Sequence, residues 1–251
     1  MQNASTRQKD LYEGIHDAYQ AHYFDPSSME YRNLFVYKPM FKGLDLNNKT
    51  VADLACSGGD NSIALLKRFP NAHVVGFDIS SKACETYRAN VGKEAYELDL
   101  TLGVDPELKV DVAMICGGIH HCIADLKGTF KTITNLLKPN GLLLMCEPNR
   151  HCFLEIARKI WYQHDKFFDA QTEAALSHDE ILRIASPKFM PLDCKYMGGP
   201  AYFLIYNSLV LRVPLGIKPF LAPPLFFFEK MYNLIPGKFA YPYFVARWQK
   251  C

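Results

Sequence analysis

The chain has 251 residues, 49% of them hydrophobic, and a formal net charge of +2. That is enough for one large α/β domain or two small ones, and it argues against a wholly disordered chain. No block of five or more basic residues occurs, so nucleic acid is not an expected partner.

The first residues, MQNASTRQKDLYEG, are polar and do not read as a signal peptide. No run of about 18 apolar residues marks a membrane span. Eight cysteines are scattered through apolar segments without a CxxC pair. That usage suits reduced thiols, and the expected compartment is the cytoplasm.

Residues 8–24 read as a helix, with Leu11, Ile15, Tyr19 and Tyr23 spaced by four. DPSS at 25–28 interrupts it, and 29–43 is a weaker helical pattern. Strands and helices then alternate. TVADLA (50–55) is a strand, followed by a helix over 60–69. HVVGFD (73–78) is a strand, followed by a helix opened by Ser80 or Ser81. AYELDL (95–100) and VDVAMIC (110–116) are strands, with a helix over 124–138. KPNG (138–141) is a turn before the strand LLLMCE (142–147). Such alternation implies a parallel sheet, covered on both faces. Beyond residue 150 the pattern predicts helices over 151–165 and 178–186 and strands at 192–197 and 242–249.

CSGGDN (56–61) sits where the first strand ends and a helix begins. Ligands of open α/β sheets bind at that edge, and small residues let them approach the backbone. An ordinary βα turn would look the same. Asp78 ends the next strand, where a carboxylate can accept hydrogen bonds from both hydroxyls of a ribose. The loop lacks G-x-G-x-x-G, and Asp60 would repel a pyrophosphate, so a nucleoside without phosphates fits better.

Five motifs in order make residues 50–150 resemble the class I S-adenosylmethionine-dependent methyltransferases. They are VADLACSGG, VVGFDIS, ELDLT, VDVAMICGGIHHC and LLKPNGLLLMCEPN. The pair HH after the fourth strand is closest to the branch acting on small molecules and lipid precursors. Ala55 and Ser57 depart from the pattern, since many members have glycine there. The resemblance implies a Rossmann-like, mostly parallel seven-stranded sheet with helices on both faces and an N-terminal helical lid. It implies a single domain, with the lid at 1–45, the cofactor core at 46–150 and a substrate-side region at 151–251.

The resemblance also implies roles. S-adenosyl-L-methionine is the cofactor. Asp53 orders the loop, and Ala55, Cys56, Ser57 and Gly59 line the methionine part. Asp78 binds the ribose and Ile79 packs on the adenine. Asp99 accepts from the adenine amino group, beside Leu100. Cys116, Gly117 and His121 border the sulfonium. Tyr19, Tyr23 and Arg32 are the lid candidates, with Arg32 placed to pair with a carboxylate.

Transfer to an oxygen usually needs a base, and histidine has a suitable pKa. His120 and His121 follow the fourth strand, with His121 the preferred base; the pair could equally shape the loop. His151 is next in line. His178, in LSHDE, reads as a capping or surface residue. Cys56, Cys116 and Cys146 all fall at strand ends, where three thiols could hold a soft metal or simply fill small buried spaces. No His/Asp/Glu set at metal-ligand spacing appears, so no metal is expected.

The C-terminal third is rich in Phe, Tyr, Leu and Pro. Pro214, Pro219, Pro223, Pro224 and Pro236 forbid one long helix. The segment reads as core or apolar pocket, or as a peripheral membrane contact with Arg212, Lys218 and Lys230 at its boundary. The sequence therefore predicts a methyltransferase acting on a hydroxyl of an apolar small molecule or lipid-linked intermediate. The alternatives are a non-catalytic cofactor-binding protein on the same fold, or methylation at nitrogen, sulfur or a metalloid. A nicotinamide oxidoreductase is disfavoured by the missing G-x-G-x-x-G.

Overall fold

The computed structural model describes residues 6, 7, 9, 14, 20–165 and 172–251. Its strands are β1 (Thr50–Leu54), β2 (His73–Asp78), β3 (Ala95–Glu97), β4 (Val110–Cys116), β5 (Leu137–Pro148), β6 (Phe189–Met197) and β7 (Tyr243–Lys250). They form one sheet in the order β3-β2-β1-β4-β5-β7-β6. β1 to β5 pair in parallel, and β7 runs antiparallel to both β5 and β6. This is the expected Rossmann-like, mostly parallel seven-stranded sheet.

Successive strand residues point to opposite faces, and both faces are covered. Val51, Val112, Met114 and Leu144 pack beneath Tyr31, Phe35, Phe41 and Phe226. Ala52, Leu54, Ala113 and Leu143 pack against Phe130, Ile133, Ile181 and Trp248. The first layer includes α1 (Pro26–Tyr31), α2 (Asp60–Arg68) and α7 (Lys218–Tyr232). The second includes α4 (Leu126–Leu136) and α6 (His178–Ala185). α3 (Ser81–Val91) follows β2, and α5 (Glu155–His164) follows β5.

Leu11, Ile15 and Tyr19 of the expected first helix lie outside the described residues; residues 20–23 are helical. Asp25 then caps α1, accepting from the N–H groups of Ser27 and Ser28 at 3.0 and 3.3 Å, with Pro26 in the first turn. The helix continues as a π-helical stretch, Arg32–Tyr37. A second such stretch, Tyr202–Tyr206, packs nearby, with Tyr31 and Tyr206 stacked at 5.3 Å. Wide turns of this kind are often found at functional sites.

Three elements differ from expectation. KPNG is no turn before β5 but lies inside it. Asn140 adopts φ 59°, and the β4–β5 register shifts between Val110 and Val112 to absorb the irregularity. β3 stops at Glu97, because Asp99 caps a short 3-10 turn, Leu100–Leu102.

The third difference is α7, a 15-residue helix with Pro223 and Pro224 inside it. Pro219 falls in the first turn, where the N–H would lack a partner anyway. Pro223 and Pro224 leave the carbonyls of residues 219 and 220 without their usual donors, on a stretch exposed to water. The buried side compensates. Lys218, fully buried, donates to the His22 carbonyl at 2.9 Å, to Ser28 Oγ at 2.7 Å and to the Asp25 carboxylate. Glu229, also fully buried, accepts from Tyr31 at 2.6 Å and from the Gly199 and Ala201 N–H groups. Tertiary contacts thus override the local cost of proline. Among the described residues, no helix is long and apolar enough to cross a membrane.

Candidate active site

The carboxyl ends of β1, β2, β4 and β5 bring most of the expected residues to one edge of the sheet. After β1 the chain makes an uncommon turn. Ala55, Ser57 and Gly59 all adopt left-handed conformations, with φ of 52°, 48° and 88°. The two residues that depart from the glycine pattern therefore keep the glycine conformation. Gly59 is required twice over, since a Cβ there would lie 2.2 Å from Val91 Cγ2.

Asp78 ties this loop to β2. Its Oδ2 accepts from the Ser57 N–H and its Oδ1 from the Ser80 N–H, each at 3.0 Å. Asp53 is fully buried beneath the loop. Its Oδ2 accepts from the Ser62 hydroxyl at 2.8 Å, and that hydroxyl lies 2.8 Å from Tyr87. Its Oδ1 is buried without a hydrogen-bond partner. Burial raises the Asp53 carboxyl to about 7, partly offset by the Ser62 hydroxyl. The Asn61 side chain and the Ser62 N–H also favour its ionised form, so the chain itself steadies this buried carboxylate beneath the loop.

Beside this loop, Arg32 meets Asn61. Arg32 is buried and donates from Nη1 to Asn61 Oδ1 at 3.0 Å, an atom that also accepts from Tyr37 at 2.6 Å. The guanidinium lies over the rings of Phe24 and Tyr206, at 4.3 and 4.9 Å. Tyr23 is buried and donates to Asn207 Oδ1. Asp99 is half-buried, its Oδ1 accepting from both the N–H and the hydroxyl of Thr101. Ile79 is half-buried, and Leu100 joins the buried cluster on the far face.

At the end of β4, Cys116 is buried and Gly117 adopts φ 74°. The histidine pair follows, held by a residue whose role the sequence alone did not reveal. Glu147, at the end of β5, is almost fully buried. Its Oε1 accepts from the Gly118 and Ile119 N–H groups at 3.0 and 2.8 Å. Its Oε2 lies 2.8 Å from His120 Nδ1. The His120 Cε1 atom would be 3.7 Å from a Cβ on Gly117, so this ring overlies the strand end. His121 stacks beside it with ring centroids 3.9 Å apart, and its Nδ1 lies 3.9 Å from Glu173.

Burial pushes His120 down to about 3 and His121 well below its ordinary value. Burial also raises Glu147 to about 7, against the pull of three backbone N–H groups. The signal for Glu147 was an acid closing an apolar strand. Glu173 lies in a stretch without periodicity, and nothing in the sequence pointed to it. His120, His121 and Glu173 offer ligand atoms within 4.8 Å of one another. Folding thus creates a ligand set that spacing along the chain does not display.

The other candidates separate from this edge. His151 Nε2 lies 3.1 Å from the Ser177 hydroxyl. His178 is not a surface residue: it is buried, receives the Trp248 indole N–H at 3.0 Å and packs edge-on to Phe244. The three thiols do not converge. Cys56 packs with Cys84 and Tyr87, while Cys116 and Cys146 pair across β4 and β5 in a separate cluster. Hydrogen bonding with Cys84 and burial push the Cys56 thiol well up, and burial pushes Cys116 to about 12.

Residues 52–143 match a methyltransferase domain family. The chain is 35% identical over 106 residues to the ribosomal protein L11 methyltransferase of Alteromonas mediterranea, covering 41% of this chain and 35% of that protein. It is 28% identical over 97 residues to a trans-aconitate 2-methyltransferase of Methylobacterium radiotolerans, covering 39% and 37%. The chain thus spans only about a third of the length of these curated relatives. Among solved structures it is similar to an S-adenosylmethionine-dependent methyltransferase from Anabaena variabilis. The TM-score is 0.66 at 16% identity, over 100% of this chain and 96% of that one. Fold and domain match together establish a chain with the class I methyltransferase fold, whose residues 52–143 match a methyltransferase domain.

Proposed function

We propose that the chain transfers the methyl group of S-adenosyl-L-methionine to a hydroxyl of an apolar small molecule or a lipid-linked intermediate. The left-handed loop and the Asp78 carboxylate at its edge support the cofactor's place. Asp53 orders the loop and meets the methionine ammonium through water, and the backbone of Ala55, Cys56, Ser57 and Gly59 lines that part. Asp78 receives the ribose hydroxyls. Ile79, Asp99 and Leu100 border the adenine, with Cys116 and Gly117 beside the sulfur. Tyr23 and Arg32 belong to the lid over the methionine end, and residues 151–251 form the acceptor side.

The observation that carries the chemical reading is the His120–Glu147 contact. When bound, the cofactor supplies a methyl group on a positively charged sulfur, open to in-line attack. With Nδ1–H donated to Glu147, the His120 Nε2 atom holds a lone pair and accepts the proton of the acceptor hydroxyl. Anchoring by Glu147, and a ring edge that faces the Gly117 position, favour His120 over His121 for that role. His121 stacks on it and limits its rotation.

An apolar cleft of about 190 Å³ supports the acceptor class. It lies between α5 and the Tyr202–Leu211 stretch and reaches Pro148, next to Glu147. The dispersed thiols leave the metalloid reading without its ligand set.

Incubation of the protein with methyl-labelled S-adenosylmethionine and a lipid or metabolite extract tests this reading. A labelled product extractable into organic solvent supports it; labelled protein or nucleic acid, with no small product, overturns it. Calorimetry with S-adenosylhomocysteine and with NADH separates the reading from an oxidoreductase.

A further inference from the structure

One surface takes no part in the proposed chemistry. α7 has two unlike faces. Lys218, Ala222, Phe226 and Glu229 are buried. On the other side Phe220, Phe227, Phe228 and Met231 stand between 55% and 81% exposed, a large apolar stripe for a protein surface. The stripe runs on into the following loop, where Leu234 and Phe239 are exposed. The Phe239 carbonyl accepts from the Phe153 N–H at 2.9 Å, so the exposed Phe153 at the start of α5 continues the patch.

Charge says what this patch faces. From residue 194 to residue 251 the sequence holds one acidic residue, Glu229. That residue is fully buried. Lys230 on α7 and Lys159 on α5 are exposed. Apolar tips with cations beside them and no exposed carboxylate on the segment match an anionic lipid surface. A water-soluble protein partner would have to bury these phenylalanines without any anionic complement from this segment.

We infer that this face docks the protein on an anionic bilayer, with α7 lying in the interface plane, and that an apolar acceptor reaches the site from the bilayer through the cleft beside α5. The second half rests on the acceptor class proposed above; the docking itself does not. The cleft is lined by Leu154, which precedes α5, by Trp161 of α5 and by Val210 and Leu211, and Leu154 follows the exposed Phe153 of the patch.

Co-sedimentation of the full chain with phosphatidylcholine vesicles, with and without added phosphatidylserine, tests the docking. Binding to the anionic vesicles, weakened by salt, is the expected result. The exposed pair Phe227→Ser/Phe228→Ser should lower vesicle affinity at least tenfold, since both rings lose their burial in the interface. Its affinity for S-adenosylhomocysteine by calorimetry should match that of the parent, which also shows that it folds. Absence of binding to both vesicle types overturns the docking, as does undiminished binding by the pair variant. A concentration-dependent dimer that the pair variant abolishes, without vesicle binding, also overturns it and assigns the face to a second copy. Vesicle binding by a chain that takes up no S-adenosylhomocysteine would leave the docking in place and sink the methyltransferase reading instead.

Discussion

His120 and Glu147 meet at the carboxyl edge of the sheet, Nδ1 to Oε2 at 2.8 Å, and the same carboxylate accepts from the Gly118 and Ile119 N–H groups. One buried side chain therefore fixes both the loop after β4 and the orientation of the imidazole. The first prediction follows from this double duty. His120→Gln should lower turnover by about 10²–10⁴-fold while leaving S-adenosylhomocysteine affinity within a few-fold. His121→Gln should have a much smaller effect on turnover. Equal, large losses in both variants would show that the pair acts as a unit; near-normal turnover in both would move the base elsewhere, with His151 next.

The pH profile should report the pair rather than a lone histidine. The base-competent state holds one proton, on Nδ1, with Glu147 ionised. Burial pushes His120 down and Glu147 up, to about 7, so a second proton goes to the carboxylate. Activity should therefore rise with pH through about 7 and level off above it. In Glu147→Gln that limb should move to the acid side, because only the depressed imidazole still titrates. A limb unmoved in the Gln variant would mean that another group controls it.

How much of this could be read from the residues differs by element. β2 and β4 fall where apolar runs between helical patterns put them, and Ser80 caps α3 as expected. The strands are buried on both faces, so their signal is strong. α7 was hidden because proline is a local breaker, while Lys218 and Glu229 stabilise the helix through contacts distant in sequence. Asp53, Asp78 and the histidine pair were legible because they close recognisable strands. Arg32 was found by its place near the lid, but its aromatic cradle of Phe24 and Tyr206 depends on two π-helical stretches that no periodicity announces. The Glu173 contact with His121 depends on where an irregular segment returns to the sheet.

Asp78 offers a test of the cofactor site. A hydrogen bond to a charged group contributes about 1.5–3 kcal/mol. Asp78→Ala should weaken S-adenosylhomocysteine binding by at least tenfold in calorimetry. It also removes the acceptors of the Ser57 and Ser80 N–H groups, so melting temperature should fall as well. Asp78→Asn keeps one carbonyl acceptor and should melt closer to the parent while still binding poorly. Full affinity in the Asn variant would take Asp78 out of the ribose site.

Chelation addresses the cluster of His120, His121 and Glu173. If His120 Nε2 is the base, its lone pair is not available to a metal, and turnover should survive EDTA. Loss of activity on chelation, restored by a divalent transition ion, would reassign these three side chains as ligands.

The last prediction concerns the loop that the glycine pattern singled out. Ala55 and Ser57 adopt φ of 52° and 48°, which cost a non-glycine residue roughly 1–2 kcal/mol. Glycine removes that strain but gives the unfolded chain more freedom, worth about 0.4–1 kcal/mol in the other direction. Ala55→Gly should therefore stabilise by up to about 1 kcal/mol, or roughly 2–4 °C in melting temperature for a chain of this size. Ser57 differs because its hydroxyl accepts from Gln20 Nε2 at 2.9 Å. Losing that bond costs about 0.5–1.5 kcal/mol, so Ser57→Gly should come out close to neutral. The pair of melts separates strain from hydrogen bonding at positions two residues apart. Calorimetry on the same proteins then asks what the strain is for. If the left-handed loop is held ready for the cofactor, the more flexible Ala55→Gly loop should bind S-adenosylhomocysteine several-fold more weakly despite its higher melting temperature. A variant that is both more stable and equally tight would show that the side chain at residue 55 contributes nothing to holding the loop ready. A variant that melts lower than the parent would mean that the Ala55 methyl, packed against Gly118, is worth more than the strain it imposes.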